Sequence, residues 1–245
     1  MYLPDENSVN LPVVIYCHGW GSSNRNDLNP STKTFMKSLI KNNIAFVAFD
    51  NFGCGETGGN YSDMTYGLWA KCTEDVFDWV ANKNFSDKSK IGFFSISSGT
   101  TAALRFTQNS NKPAFVISIA TAITSHIGMS NGGPVKLMLD NLDDLLSGGT
   151  AEFFGTQFPL DFYLDELKNL VVYEMDKIKC PVFFLQGAND NVWRNTDAKL
   201  GYELMKQNNQ LCKYYVIDDA GHGLDEKPVE CTQQCIEWLK EIRIV

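Results

Sequence analysis

The sequence has no apolar run long enough to cross a bilayer and no excess of basic residues. Its 29 acidic and 21 basic side chains give a formal charge of −8, which opposes nonspecific binding to nucleic acid or to an anionic membrane. The first ten residues lack the basic and apolar regions of a secretory signal, so a cytoplasmic location is expected. These absences favour a small uncharged molecule as the partner.

Histidine is also scarce, with three residues in the chain, and the seven cysteines lack the spacing of a zinc ribbon. An odd, scattered set of cysteines is typical of reduced thiols. Cys231 and Cys235 lie one helical turn apart and could form a metal clip, but the apolar pattern around them favours packing inside a helix. A metal site is therefore not expected.

Six short runs rich in β-branched and aromatic residues recur along the chain, with helical segments between them. Strands that are covered by helices on both faces have this uniformly apolar character. The runs are VVIYC (13–17), IAFVAF (44–49), IGFFS (91–95), AFVISIA (114–120), VFFLQ (182–186) and KYYVI (213–217). The alternation predicts an α/β fold with a doubly wound, mostly parallel sheet.

Apolar residues at helical spacing predict which helix faces are buried. The predicted faces include Phe35 and Leu39 in the first helix; Trp69, Val76, Trp79 and Val80 in the second; Leu200, Leu204 and Met205 in a later one; and Val229, Cys235, Ile236 and Leu239 in the last. Pro228 suits the first turn of that last helix.

Residues 121–178 interrupt the alternation of strands and helices. A structureless loop of that length would be unusual in a compact domain, so the segment is predicted to be a mostly helical cap over the carboxyl edge of the sheet. Residues 1–120 and 179–245 then form the core. The cap contains aromatic residues that could either bind a substrate or pack the cap itself, namely Phe153, Phe154, Phe158, Phe162 and Tyr163.

The motif most informative about chemistry is KIGFFSISSGTTAAL, in which a strand enters a tight turn and leaves as a helix. Ser97 lies at the turn, with Ser95 two residues before it and Gly99 two residues after it. A G-x-S-x-G turn holds its serine in a strained conformation above the sheet and requires small flanking residues, a condition that Ser95 also meets. Ser98 is the rival nucleophile, but the residues two before and two after it, Ile96 and Thr100, are β-branched and unsuited to the turn. Serines that only cap the helix are the other interpretation.

Two later loops provide an acid and a base. Strand VFFLQ leads into GANDNVW, which contains Asp190, and strand KYYVI leads into DDAGHGLD, which contains His222. Side chains at the carboxyl ends of neighbouring parallel strands lie close together. The pattern predicts Ser97 as nucleophile, His222 as general base and Asp190 as the acid that orients it. This chemistry needs no metal and no organic cofactor. Asp218 and Asp219 are weaker candidates because they lie so close to His222 along the chain.

The first strand ends in HGWG, at residues 18–21, and this loop is suited to oxyanion binding. The backbone N–H groups of Trp20 and Ser98 are predicted to donate to the substrate oxygen as it becomes negative. His18 could be mistaken for the base, but it is predicted to brace the loop by hydrogen bonds to the backbone. His126 lies in the predicted cap.

The motifs HGWG, DNFGCGET, SISSG, GANDNV and DAGHG together resemble the α/β-hydrolase superfamily over nearly the whole chain. Their order and the insertion also resemble small bacterial feruloyl (cinnamoyl) esterases and monoacylglycerol-lipase-like hydrolases. The resemblance implies hydrolysis of a carboxylic ester through an acyl-enzyme, with an acyl or aromatic group under the cap. In the motif DNFGCGET, Thr57 stands at the position where many members of this superfamily have serine. The antiparallel hairpin that usually begins such proteins is not evident, so the first strand is expected to be missing.

Other functions use the same features. An acyltransferase or a peptidase could carry the same three residues, and a non-catalytic ligand-binding protein could keep the fold. The presence of all three residues favours the esterase. A missing first strand would leave a sheet edge open and favour pairing with a second copy as a homodimer.

Overall fold

The computed structural model describes residues 1–20, 24–26, 28–124, 133–168, 170–209 and 211–245. Its strands are β1 (Leu11–Cys17), β2 (Ala45–Ala48), β3 (Ser86–Ile96), β4 (Val116–Ile119), β5 (Ala151–Phe153), β6 (Thr156–Phe158), β7 (Val182–Gly187) and β8 (Lys213–Ile217). Six of them form one parallel sheet in the order β2-β1-β3-β4-β7-β8. Each of the six predicted runs contributes one of these strands, so the predicted parallel α/β fold is confirmed.

Helices cover both faces of this sheet. They are α1 (Pro30–Lys41), α2 (Tyr66–Ala81), α3 (Ser98–Ser110), α4 (Gly133–Asp140), α5 (Leu142–Leu146), α6 (Leu160–Lys168), α7 (Asn195–Met205) and α8 (Pro228–Glu241), with 3₁₀ helices at Tyr61–Asp63 and Val171–Lys177. Successive residues of β1 point to opposite faces, so Val14 and Tyr16 join one hydrophobic cluster while Val13 and Ile15 join the other. Two apolar clusters therefore enclose the sheet.

Several residues predicted to face the core are exposed instead. Trp79 is 46% exposed, Leu204 40% and Val229 71%. In α7 the buried residues are Asp197, Ala198, Gly201 and Met205. A Cβ at Gly201 would lie 2.7 Å from the Phe184 ring, so the helix approaches the sheet too closely for a large side chain. The apolar pattern alone was wrong at these positions, and in α7 the close approach of the helix to the sheet is the physical reason.

The segment between β4 and β7 contains α4, α5, the antiparallel β5–β6 hairpin, α6 and a 3₁₀ helix. The aromatic residues that were predicted there are mostly buried: Phe153, Phe158, Phe162 and Tyr163 are at most 4% exposed. Phe154 is the exception, with 52% of its surface exposed. The division of the chain into a core and a cap at residues 121–178 stays a prediction.

The edge strand β2 has a short antiparallel partner. Tyr2 and Phe46 exchange two backbone hydrogen bonds, with N···O distances of 2.8 and 3.0 Å. This bridge occupies one position along the edge that was expected to be open. Pairing with a second copy stays a prediction. No helix in the described ranges combines the length and the apolar character that crossing a membrane would require.

Candidate active site

The turn between β3 and α3 has the strained backbone that its sequence predicts. Ser97 has φ 54° and ψ −127°, an unfavourable combination for a residue with a side chain. The surrounding chain fixes it there: its N–H donates to the Ile119 carbonyl, and its carbonyl accepts from both the N–H and the hydroxyl of Thr100. Ser97 therefore lies at the carboxyl edge of the central strand.

The residues that flank this turn must be small for reasons visible in the packing. Ser95 is fully buried, and its hydroxyl donates to the Ile117 carbonyl at 3.0 Å, so serine both fits and satisfies its polar atom. A Cβ at Gly99 would lie 2.3 Å from the Cys17 carbonyl oxygen and 2.5 Å from that of His18. The start of α3 therefore rests directly on the end of β1.

Asp190 and His222 form a hydrogen-bonded pair between the loops that follow β7 and β8. His222 Nδ1 lies 2.9 Å from Oδ2 and 3.0 Å from Oδ1 of Asp190. An ionised carboxylate can only accept, so the shared proton belongs to Nδ1 and the lone pair of a neutral ring lies on Nε2. The Asp190 side chain is fully buried, whereas His222 is 26% exposed. This arrangement suits a histidine that takes up protons at Nε2.

Asp190 is held by three further donors. The N–H groups of Val192 and Trp193 donate to Oδ1 at 2.8 and 2.9 Å, and Gln186 Nε2 donates to Oδ2 at 2.7 Å. Burial raises the pKa of this carboxyl, but the hydrogen bond and charge of His222 and the two backbone donors outweigh that effect and hold the pKa below its ordinary value. Asp190 is thus kept ionised in one orientation.

Gln186 was missed by the sequence reasoning, which treated it as an apolar strand position. We expect Gln186→Met to lower kcat/KM for ester hydrolysis about tenfold, because a hydrogen bond to a charged group is lost at the residue that orients His222. Gln186→Glu should be more damaging, since it places a second carboxylate beside Asp190. Steady-state kinetics on folded variants tests this. A Met variant with unchanged kcat/KM would contradict the role.

His18 braces the loop after β1, as predicted. Its ring is fully buried, with Nδ1 2.8 Å from the Gly19 carbonyl oxygen and Nε2 accepting from the Asn51 N–H at 3.0 Å. Burial lowers the pKa of His18, although the Gly19 hydrogen bond and the nearby Asp50 oppose the shift. A buried neutral imidazole with both nitrogens engaged is a structural link between the loops after β1 and β2.

The two predicted oxyanion donors border the nucleophile position. A Cβ built on Gly19 would lie 3.2 Å from Ser97 Cβ, which shows how closely the loop carrying Trp20 passes the serine. Among the described residues, neither the Trp20 nor the Ser98 N–H donates to another protein group. The Ser98 hydroxyl instead accepts from the Tyr66 hydroxyl at 3.2 Å. This contact ties the Ser98 side chain to the start of α2.

A cavity of about 420 Å³ brings these groups together, and its lining includes Ser97, Ser98, Trp20 and His222. The volume is within the range of small-molecule sites. Other parts of the lining are Tyr16, Tyr66, Ile96, Pro134, Phe153, Phe154, Val192, Trp193, Glu166 and Asp225. Its described lining contains two carboxyl side chains and no lysine or arginine, and the undescribed residues include no lysine or arginine either. The cavity therefore offers no lysine or arginine side chain to pair with an anionic group of a ligand.

The weaker candidates do not join this arrangement. The side chain of Asp219 is 83% exposed and lies 3.9 Å from Lys227, and Asp218 is also exposed. In the described part of the chain, neither of them hydrogen-bonds His222. His126 lies outside the described residues. Cys231 and Cys235 are fully buried in α8, so the packing interpretation of this pair is confirmed.

Comparisons with known proteins identify a family and structural neighbours of the chain. Residues 73–230 match the family described as BAAT / Acyl-CoA thioester hydrolase C terminal. A search of curated protein sequences finds no match.

Solved structures match the chain over nearly its whole length. Est1E from Butyrivibrio proteoclasticus, solved with ferulic acid bound, is 18% identical, with a TM-score of 0.82 over 100% of this chain and 94% of its own. Esterase Pf2001 from Pyrococcus furiosus is 20% identical, with a TM-score of 0.70 over 97% of this chain and 85% of its own. Monoacylglycerol lipase from Paleococcus ferrophilus is 16% identical, with a TM-score of 0.68 over 96% and 97%. These neighbours confirm the α/β-hydrolase fold.

Proposed function

Because the chain belongs to the BAAT / Acyl-CoA thioester hydrolase C terminal family and is a carboxylic ester hydrolase, we propose that it cleaves its substrate through a covalent acyl-enzyme on Ser97. The observation that carries this proposal is that Ser97 and His222 line the same cavity, while Asp190 is hydrogen-bonded to Nδ1 of His222. A nucleophile needs a base within hydrogen-bond reach and an acid that orients the base. The shared cavity and the hydrogen bond between Asp190 and His222 support that assignment.

In the first half of the reaction, the Ser97 hydroxyl attacks the ester carbonyl carbon while His222 Nε2 takes the hydroxyl proton. The Asp190 carboxylate stabilises the resulting imidazolium and keeps Nδ1 protonated. The tetrahedral intermediate then collapses, the bond from carbon to the leaving oxygen breaks, and His222 returns the proton to the departing alcohol. The acyl group stays on Ser97.

The negative oxygen of the intermediate is assigned to the N–H groups of Trp20 and Ser98. Loss of one such donor typically raises the barrier by about 3 kcal/mol, so the loop after β1 and the start of α3 contribute as much as many side chains. The link from His18 to the Asn51 N–H supports this role because it fixes the loop that carries Trp20.

The second half of the reaction repeats these steps with water. His222 takes a proton from water, the hydroxide attacks the acyl carbon, and the carboxylic acid leaves as Ser97 regains its proton. Transfer to another alcohol or amine would use the same site, with that molecule in place of water. The steps described here use only protein groups and water.

The lining indicates which substrates to expect. Two carboxyl groups, Glu166 and Asp225, and several aromatic rings favour an uncharged ester with an apolar or aromatic acyl group, of the acyl or cinnamoyl and feruloyl kind. Ferulic acid bound to the similarly folded Est1E is consistent with this proposal. The family description favours a second candidate, a thioester.

A substrate panel tests the proposed function. We expect turnover of p-nitrophenyl acetate, butyrate, octanoate and ferulate, followed by nitrophenol release, and turnover of the uncharged thioester butyryl-N-acetylcysteamine, followed by thiol release. Added methanol should give little methyl ester if hydrolysis dominates. Absence of turnover on every ester and thioester would contradict the proposal, and methyl ester as the main product would favour the acyltransferase alternative.

A further inference from the structure

The turn of the β5–β6 hairpin contains an aromatic residue where the backbone disfavours one. Phe154 and Gly155 connect the two strands, with φ values of 48° and 75°. Two-residue turns with positive φ at both positions strongly prefer Asn-Gly. Gly155 fits this requirement, whereas a bulky side chain at the first position is a genuine outlier. The hairpin would form more easily with asparagine in place of Phe154.

Packing within the protein does not explain this side chain. Phe154 is 52% exposed, while the four other aromatic residues within residues 151–168, at positions 153, 158, 162 and 163, are buried. Its ring centroid is 4.7 Å from that of Phe153 and 6.2 Å from that of Trp20. The ring therefore packs against the outside of the buried aromatic cluster. The positive φ of Phe154 and its exposed apolar surface are both unfavourable for folding. A residue held at such a cost is a candidate for function.

The position of the ring suggests which function. Phe154 lines the same cavity as Ser97 and His222, and half of its surface is exposed, so the ring lies at the cavity mouth. Its aromatic contacts are to Phe153 and to Trp20, the residue assigned to the oxyanion hole. The leaving alcohol must depart beside His222, which protonates it. With the alcohol beside His222, we assign the part of the substrate that stays on Ser97 to the aromatic wall that includes Trp20 and Phe154.

We propose that Phe154 is a specificity-determining residue whose ring contacts the distal part of an uncharged, apolar acyl group at the mouth of the cavity. The inference rests on the proposed ester hydrolysis and adds the residue that sets the preference for longer acyl groups. Burying apolar surface against the ring stabilises a long acyl chain, whereas an acetyl group ends too close to Ser97 to reach it. On this account, the strained turn is retained because it places the Phe154 ring at the cavity mouth.

Two substitutions separate the ring from the strain. Phe154→Asn and Phe154→Ala both remove the ring, but asparagine tolerates the positive φ better than alanine does. Glu152→Ala is the control, because Glu152 is an exposed residue of the same hairpin that does not line the cavity. Each variant is assayed with p-nitrophenyl octanoate and p-nitrophenyl acetate, and its Tm is measured.

We expect both Phe154 variants to lose about tenfold in kcat/KM for octanoate and less than about twofold for acetate, as expected when an apolar contact is removed. Glu152→Ala should keep the octanoate-to-acetate ratio. The Asn variant should melt about 2 °C above the Ala variant, because only alanine remains strained.

An unchanged octanoate-to-acetate ratio in both Phe154 variants would overturn the proposal, and so would an equal loss on both esters. Equal Tm values for the Asn and Ala variants would overturn the claim that the turn is strained. The activity of the unmodified protein separates these results from a failure of the proposed function: without ester turnover the function itself fails, whereas turnover without chain-length dependence on Phe154 contradicts this inference alone.

Discussion

Ser97→Ala is expected to lower kcat for ester hydrolysis by about 10⁴-fold or more while leaving the fold intact. The substitution removes the only atom that is proposed to bond the acyl group, and the cavity and both backbone donors remain. Serine and alanine both carry a Cβ, so the strain of a φ of 54° is the same for both, and the substitution changes only the hydroxyl. Steady-state assays with p-nitrophenyl butyrate measure the effect, and circular dichroism verifies the fold.

Ser98→Ala is the matched comparison, because it removes the neighbouring hydroxyl and keeps the backbone N–H. The lost contact is the hydrogen bond from the Tyr66 hydroxyl, at 3.2 Å. We expect a loss of less than about tenfold, since only the position of the amide is affected. A large loss in the Ser98 variant together with normal turnover in the Ser97 variant would reverse the assignment of the nucleophile.

Gly99→Ala is expected to reduce the free energy of unfolding by roughly 3 kcal/mol or more, the largest effect on stability anticipated here. The added Cβ would lie 2.3 Å from the Cys17 carbonyl oxygen and 2.5 Å from that of His18. Both are backbone atoms of β1 and its loop, so no side chain can rotate away. The start of α3 must move, and the Ser98 N–H moves with it. Urea unfolding monitored by tryptophan fluorescence measures the change.

Gly58→Ala is the control for this substitution. A Cβ at Gly58 meets nothing within 4 Å, so alanine there should change stability by less than about 0.5 kcal/mol. Equal stability of the two variants would contradict the close contact between α3 and β1. A stable Gly99 variant with full activity would also show that the oxyanion position tolerates a shift of this helix.

The residues predicted from sequence are those whose role follows from local pattern. The turn around Ser97 is determined by a strand, a helix and two small neighbours, all within a few positions. Asp190 and His222 follow neighbouring parallel strands, so their pairing needed only the order of β7 and β8. Buried strands were likewise recognisable, because apolar runs between helical segments are typical of a covered parallel sheet.

The residues that sequence did not predict depend on side-chain contacts that the apolar pattern does not show. Gln186 resembles any strand residue until the loop carrying Asp190 folds back on it. The Tyr66–Ser98 hydrogen bond joins the start of α2 to the start of α3. Trp79 and Leu204 look like core residues by pattern, yet both are exposed. In α7 the helix packs closely on the sheet at the small residue Gly201 instead. Phe154 is one of the five aromatic residues that the sequence offered as possible substrate contacts, and only its strained turn and its exposure distinguish it from the other four.

The central claim is that Ser97 forms a covalent bond with the acyl carbon, and fluorophosphonate labelling with peptide mass spectrometry tests it most directly. We predict one phosphonate adduct, on Ser97, formed at the rate at which esterase activity is lost, with no adduct on the Ser97→Ala variant. An adduct on Ser98, or a protein that hydrolyses esters and yet remains unlabelled at Ser97, would contradict the account.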